Sequence, residues 1–415
     1  MSSTIVDQPT PTTTADLPAQ PASAPAVWTP SLVTAMLSSA KGISDLILSP
    51  GRPPQVELHG RLQAVKIPQV PLLTADHTAR IAAELIGNNR QAVQALKEQG
   101  SCDFSYSLPG HARFRVNVFQ QRGSYAIVMR VIPIKVPEFS DLNLPAELEK
   151  VPELKNGIVL VTGPTGSGKS STLAAIINKI NSEKAEHILT IEDPIEFLHA
   201  HKQGTIHQRE LHSDTPSFAA ALRAALRQAP KVILVGEMRD KETIEIALTA
   251  AETGHLVLST LHTIDASRTV ERIIGVFPLG DQQIIRKRLA ASFRYFVAQR
   301  LLPRKDGKGR LAVLEILKST MRTREYIEKG EGEGKTLLDA MRDGGVEGMQ
   351  DFDGAIETLV RSRAIDLETG LAYASNPGNL RLQLSDFSPD AAPTPAVETP
   401  SPSGGKKEQE LEVER

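Results

Sequence analysis

The sequence predicts an α/β protein whose largest domain is a parallel sheet covered by helices on both faces. Two observations carry that expectation. Between residues 156 and 300, short and continuously apolar runs alternate in strict order with helical stretches, the pattern of strands buried on both sides. The first of those runs leads directly into a glycine-rich turn and then a helix, so strand, loop and helix follow one another in the order a doubly covered sheet requires.

Taken in chain order, residues 1–26 are mostly Thr, Pro, Ala and Ser, and 387–415 are Pro-rich and then charged. Neither segment carries enough apolar surface to offset its ordering entropy, so both read as disordered tails. Residues 27–135 form a first domain. Within it, 74–86 reads as a helix with Thr74 as N-cap, and "FRVNVF" and "YAIVMRVI" read as neighbouring strands joined by "QQRGS". Residues 136–155, with Pro137, Pro145 and Pro152, read as a linker. In 156–300 the strands are "GIVLVTG", "HILTIED", "VILVGE" and "HLVLSTLH". Thr215 is the expected cap of the helix that follows it, with Pro216 in its first turn. Residues 301–386 are mixed and read as a helical C-terminal region.

A chain of 415 residues has room for two or three cores. The net charge of −2 gives no global attraction to nucleic acid or to an acidic membrane. A single cysteine, Cys102, leaves no intrachain disulfide and no four-thiolate zinc site. No apolar run approaches the roughly 20 residues a bilayer demands, and no basic-then-apolar leader is visible. The expectation is a cytoplasmic protein without membrane insertion.

The sharpest chemical signal is "GPTGSGKS": Gly163, Pro164, Thr165, Gly166, Ser167, Gly168, Lys169 and Ser170, with Ser171 next in the helix. It matches the G-x-x-x-x-G-K-[ST] pattern between a strand and a helix. The glycines let backbone N–H groups wrap a phosphate, Lys169 reaches the β- and γ-phosphates of ATP, and Ser170 binds Mg2+. Two acidic stretches follow at strand ends. "VILVGEMRD" ends its strand at Glu237, and "TIEDPIEF" offers Glu192, Asp193 and Glu196. Carboxylates there can hold a metal and orient a water for phosphoryl transfer. His255 and His262 bracket a strand; seven residues apart, they face opposite sides and are poor partners for one metal ion.

"RFRVNVFQQRG" raises a separate question. Phe114, Val116 and Val118 fall on one face, Arg113, Arg115 and Asn117 on the other. The positive face serves either water or an anion, and this stretch does not decide between them.

Together, "GPTGSGKSSTLAA", "HILTIEDPIEF", "ALRAALRQAP", "VILVGEMRD", "ALTAAETGHLVLSTLHT" and "VERIIGVFP" resemble the PilT-type retraction ATPases of type IV pili, members of the secretion ATPase superfamily. The resemblance covers roughly residues 30–370, including "ISDLILSPGRPP" and "EGMQDFDGAIETLV". It implies a PAS-like N-terminal domain and a RecA-like P-loop ATPase domain. It also implies a homo-hexamer at the cytoplasmic face of the inner membrane, working on a pilus platform protein and powering twitching motility. The family's Walker A residues fall on 163–170, its catalytic glutamate on Glu196, its Walker B glutamate on Glu237 and its paired histidines on His255 and His262. Its N-terminal-domain arginines fall on Arg113 and Arg115, and also on Arg122 and Arg130. In a ring they would meet another subunit's nucleotide, which answers the anion question. One departure stands out. The family's Ala-Ile-Arg-Asn-Leu-Ile motif aligns with residues 322–327, where only Arg324 and Ile327 keep their types. A helix there would put Thr323, Tyr326 and Ile327 on one side, a candidate docking face.

Other readings stay open: an accessory or divergent paralogue, a pilus-assembly or type II secretion ATPase, and a nucleic-acid translocase. Against the last stand the charge of −2 and an aromatic content of 4%, which leaves few stacking platforms. Those assembly and secretion ATPases usually carry a four-cysteine zinc insertion, which Cys102 alone cannot build.

Overall fold

Consecutive residues of the apolar strands go to different cores. In the computed structural model, Ile158 and Leu160 join one cluster with Leu189, Ile191, Ile233 and Val235. Val159 and Val161 join the other with Ile188, Val232 and Leu234. Strands packed on both faces leave few positions for polar side chains, and those they have, such as Ser259 and Thr260, bond to neighbouring backbone, which is why they read as nearly continuous apolar runs. The structure describes residues 29–387, apart from 59, 69 and 133–134. The expected tails at 1–26 and beyond 387 lie outside the described residues.

The chain divides into two compact units. The first takes its residues from 1–135, with the short segments 194–198 and 212–214. Its strands are β1 (Ile43–Leu48), β2 (Gln55–Leu58), β3 (Arg61–Ala64), β4 (Ser101–Leu108), β5 (Ala112–Gln121) and β6 (Ser124–Ile132). They form one sheet in the order β3-β2-β1-β6-β5-β4, antiparallel throughout. Phe114, Val116 and Val118 are fully buried, as the alternation predicts. β5 and β6 meet through Arg122 and Gly123, both at positive φ (48° and 75°), the conformation a two-residue hairpin requires. The helix Ala75–Ile86 starts where expected, the Thr74 hydroxyl accepting the His77 N–H.

The second unit holds β7 (Gly157–Thr162), β8 (His187–Glu192), β9 (Thr205–Glu210), β10 (Val232–Val235), β11 (Leu256–Leu261), β12 (Phe293–Pro303) and β13 (Arg310–Lys318). Their order is β13-β12-β7-β11-β10-β8-β9, parallel except for the β12–β13 hairpin.

Three local expectations are corrected, and one strand, β9, is added. Residues 301–386 are not wholly helical: β12 runs to Pro303, and β13 extends the sheet before the helices begin. The Asp306-Gly307 turn between two apolar runs was the signal for that hairpin. β9 did not stand out because an edge strand is not obliged to be apolar on both faces. Residues 136–155 are more than a linker, since the 3-10 helix Ala146–Glu153 buries Leu148 and Val151 in the second core. The helix Phe218–Ala225 is capped by Ser217, whose hydroxyl accepts the Ala220 N–H at 3.1 Å. Thr215 is instead bridged to Leu211 in strand fashion, and Pro216 separates it from the helix.

One buried carboxyl makes the fold's stability depend on pH. Glu315, on β13, accepts the Ala266 N–H at 2.7 Å and is 4% exposed. Burial pushes its carboxyl from 4.5 up to about 7; Asp265 adds to the rise, and the Ala266 bond and Arg300 oppose it. The folded state therefore keeps a proton that the unfolded chain gives up between those values, so stability falls as pH rises through that window. The loss is on the order of 3 kcal/mol. Glu315→Gln keeps an acceptor for Ala266 and is expected to flatten the dependence, read by urea titrations between about pH 5 and pH 8. An unchanged slope would assign it to another group.

Candidate active site

The phosphate-loop motif occupies the turn from β7 into the helix Lys169–Glu183. Gly163 has φ 144°, and a Cβ there would strike the Gln299 carbonyl oxygen and lie 2.6 Å from Ser167 Oγ. Gly168 has φ 89°, and a Cβ there would lie 2.8 Å from Gln299 Nε2. Both positions need glycine on conformational and steric grounds. The buried hydroxyls of Thr162 and Ser167 have no hydrogen-bond partner among the described residues. Lys169 is buried, its ammonium donating to the carbonyls of Gly163 (2.9 Å) and Pro164 (3.1 Å). Burial pulls its pKa below the ordinary lysine value, and Glu237 partly restores it. A cradle too tight for a Cβ, unpaired hydroxyls, a buried ammonium and a helix N-terminus together fit a polyphosphate. Ser170, exposed in the first helical turn, fits a metal held beside it.

Glu237 lies two residues beyond the end of β10. Its loop is fastened on both sides: the Gly236 N–H donates to Ile191 O at 2.8 Å, and the Thr260 hydroxyl donates to Gly236 O at 2.6 Å. Asp240 then caps the helix Lys241–Glu252. The Glu237 carboxylate pairs with Arg239 at 2.6 Å and His262 at 3.3 Å. Burial alone would raise its pKa; Arg239 and His262 outweigh that and hold it below the ordinary carboxylate value. His262 follows β11, whose last carbonyl, Leu261 O, accepts the Gly163 N–H at 3.3 Å. Lys169, Glu237 and His262 thus gather at the C-terminal edge of one sheet, where ligands bind in open α/β folds.

His255 is not part of that cluster. It precedes β11 and lies seven residues from His262, so at about 3.3 Å per residue it sits roughly 23 Å away along the strand. Its Nδ1 lies 3.0 Å from Ala250 O. As their spacing implies, the two histidines flank opposite ends of a fully buried strand and do not meet within one chain.

Glu192 closes β8 and accepts from Thr190 (2.6 Å) and Gln208 (3.1 Å). Glu196 is exposed, on the segment 194–198 that belongs to the first unit. On β5, Arg113 donates to Ser107 Oγ at 3.1 Å, and Arg115 lies opposite Arg130 of β6 in the ladder. Arg130 is answered by Asp45 at 3.0 Å. Three contributors escaped the sequence reading: Arg239, Thr172 and Gln299. Only Gln299 left a trace there, a lone amide within "YFVAQRLL".

The helix Met321–Lys329 forms, and Thr323, Tyr326 and Ile327 do share a side. That side is not a docking face: Thr323 and Ile327 are buried, and Tyr326 packs against the main core. The family motif's apolar positions serve packing here.

Fold and site together define a P-loop ATPase. A family model described as "Type II/IV secretion system protein" matches residues 99–354. The chain belongs to that family. It is 44% identical over 323 residues to a twitching motility protein of Neisseria gonorrhoeae, covering 78% of this chain and 84% of that one. It is 43% identical over 342 residues to the type IV pilus retraction ATPase PilT of Pseudomonas aeruginosa, covering 82% and 97%. A crystal structure of the pilus retraction motor PilT with bound ADP superimposes with a TM-score of 0.76 at 40% identity, over 85% of this chain and 98% of that one.

Proposed function

We propose that the chain is the ATP-driven motor that retracts type IV pili in twitching motility. The observation that carries this reading is the match over nearly the whole length of a retraction ATPase. In the proposed mechanism, bound ATP supplies the γ-phosphoryl group and Mg2+ neutralises charge on its oxygens. Lys169 leaves the carbonyls of Gly163 and Pro164 for the phosphate oxygens, and the loop N–H groups between Thr165 and Ser171 wrap them. The Ser170 hydroxyl would hold the Mg2+, and Glu237 would stand beside it. Glu196 orients the attacking water. Arg113 and Arg115 of a neighbouring subunit stabilise the γ-phosphate in a homo-hexamer, so loss of that phosphate releases one subunit from the next. The ring acts at the cytoplasmic face of the inner membrane on a platform protein of the pilus base. No helix among the described residues is long and apolar enough to cross a membrane.

Deleting the gene in its host is the test, scored by pilus number and surface motility. Hyperpiliated, non-motile cells that only the wild-type gene, and not Lys169→Ala, restores are the expected result. Bald cells would place the chain in pilus assembly. Residues 322–327 favour a second reading, an accessory or divergent paralogue, because Glu325 and Tyr326 replace the Asn and Leu of the family motif. Normal retraction after deletion would favour it.

A further inference from the structure

Gln299 is an amide inside an apolar strand, 2% exposed. Its neighbours on β12 are core residues: Val297 in one cluster, Ala298 and Leu302 in another. A buried amide without partners is costly, so such a residue is held in place by what it bonds. Both ends of this one are bonded to the phosphate loop and its helix. Nε2 donates to Ser167 O at 2.8 Å, and Oε1 accepts the Thr172 hydroxyl at 2.8 Å. The Gln299 carbonyl and amide are also the atoms that leave no room for a Cβ at Gly163 and Gly168. The strand itself is fixed from both sides. Ala298 pairs with Thr162 of β7. The Arg300 guanidinium lies 3.8 Å over the Phe352 ring while donating to Tyr373 O at 2.6 Å and Ser375 Oγ at 3.2 Å.

From this geometry we infer that Gln299 is the positioning residue of the phosphate loop. In a trans peptide the C=O and the following N–H point in opposite directions. Drawing Ser167 O toward the Gln299 amide therefore turns the Gly168 N–H away from it, into the concave side of the loop. The Thr172 bond fixes the first turn of the helix against the same amide. Gln299 touches no phosphate; it acts by keeping the loop's N–H groups aimed before the nucleotide arrives, the preorganisation on which tight anion binding depends. The inference rests on reading residues 163–170 as the nucleotide site.

The test measures ADP affinity by displacement of a fluorescent nucleotide, KM and kcat for ATP, and thermal unfolding. The variants are Gln299→Leu, Thr172→Val, their double, and Lys169→Ala. Gln299→Leu is expected to weaken ADP binding and raise KM for ATP about 10- to 100-fold, with a smaller change in kcat. Thr172→Val should weaken binding less, and the double should be no weaker than Gln299→Leu alone, because Thr172 acts through the same amide. A folded Gln299→Leu protein with wild-type affinity and KM would overturn the inference, whatever its melting temperature. If Gln299→Leu does not fold, Gln299→Asn and Thr172→Val decide, and unchanged affinity in both would overturn it. If Lys169→Ala binds nucleotide as well as the wild type does, the site reading itself fails. If Lys169→Ala has lost binding while Gln299→Leu keeps it, only the role of Gln299 fails.

Discussion

Glu196→Gln is expected to bind ATP with near-normal affinity and to hydrolyse it roughly 10²- to 10³-fold more slowly. The family resemblance assigns the orientation of water to Glu196, and the surroundings of Glu237 suit it to the other role. Glu237 is paired with both Arg239 and His262, and those partners outweigh burial to hold its carboxyl below the ordinary value. A carboxylate stabilised as an anion is a poor proton acceptor and a good member of a metal's outer shell. Glu196 occupies an exposed position of the 194–198 segment. Single-turnover phosphate release and nucleotide binding, measured on the same preparations, separate the two roles. Glu237→Gln should lose its Mg2+ dependence of binding along with turnover. Normal turnover by Glu196→Gln, together with a dead Glu237→Gln that still binds MgATP, would exchange the assignments.

Much of this was legible in the sequence for identifiable reasons. Strands such as β10 and the Ile158–Val161 run of β7, buried on both faces, are written in continuous apolar residues, and the loop motif has to be written in glycine where a Cβ would strike Gln299. What stayed hidden was structure that apolar pattern does not encode. β9 is a polar edge strand, and Leu148 and Val151 give the 3-10 helix too few apolar residues to show a period. The cap at Ser217 depends on Thr215 being engaged by Leu211, a contact four residues away that no local rule reports. The side of Met321–Lys329 that faces the core could be grouped by spacing, but spacing does not say whether a face meets a core or a partner. The separation of His255 from His262 was implicit in a strand between them, and the resemblance groups them despite it. Glu237 was placed by its strand; the partners that set its charge, Arg239 and His262, come from a loop and from the neighbouring strand's end.

Mixing two dead proteins is expected to restore activity if Arg113 works across a subunit boundary. The four arginines of the β5–β6 hairpin differ in standing. Arg130 is already neutralised by Asp45, its direct partner across β1 and β6. Arg122 lies in the hairpin turn, beyond the end of β5. Arg113, which donates to Ser107 Oγ, and Arg115 lie on the polar face of a strand whose other face is sealed into the core, so the backbone holds them in fixed register. A guanidinium aimed by a rigid strand suits the stabilisation of charge on a transferring phosphoryl group, an effect worth about 10³-fold or more where it operates in trans. Lys169→Ala and Arg113→Ala should each be nearly inactive alone. In rings assembled at random from equal amounts, a site is whole when an intact phosphate loop meets an intact arginine from its neighbour, which happens at about one site in four. Turnover should therefore return to about a quarter of the wild-type rate if sites fire independently, and to less if firing must pass around the ring. If Arg113 served its own subunit's nucleotide, no mixed ring would contain a whole site and no activity would return. Subunits carrying two different affinity tags show whether mixed rings form, so a flat result with mixed rings present would remove the assignment in trans.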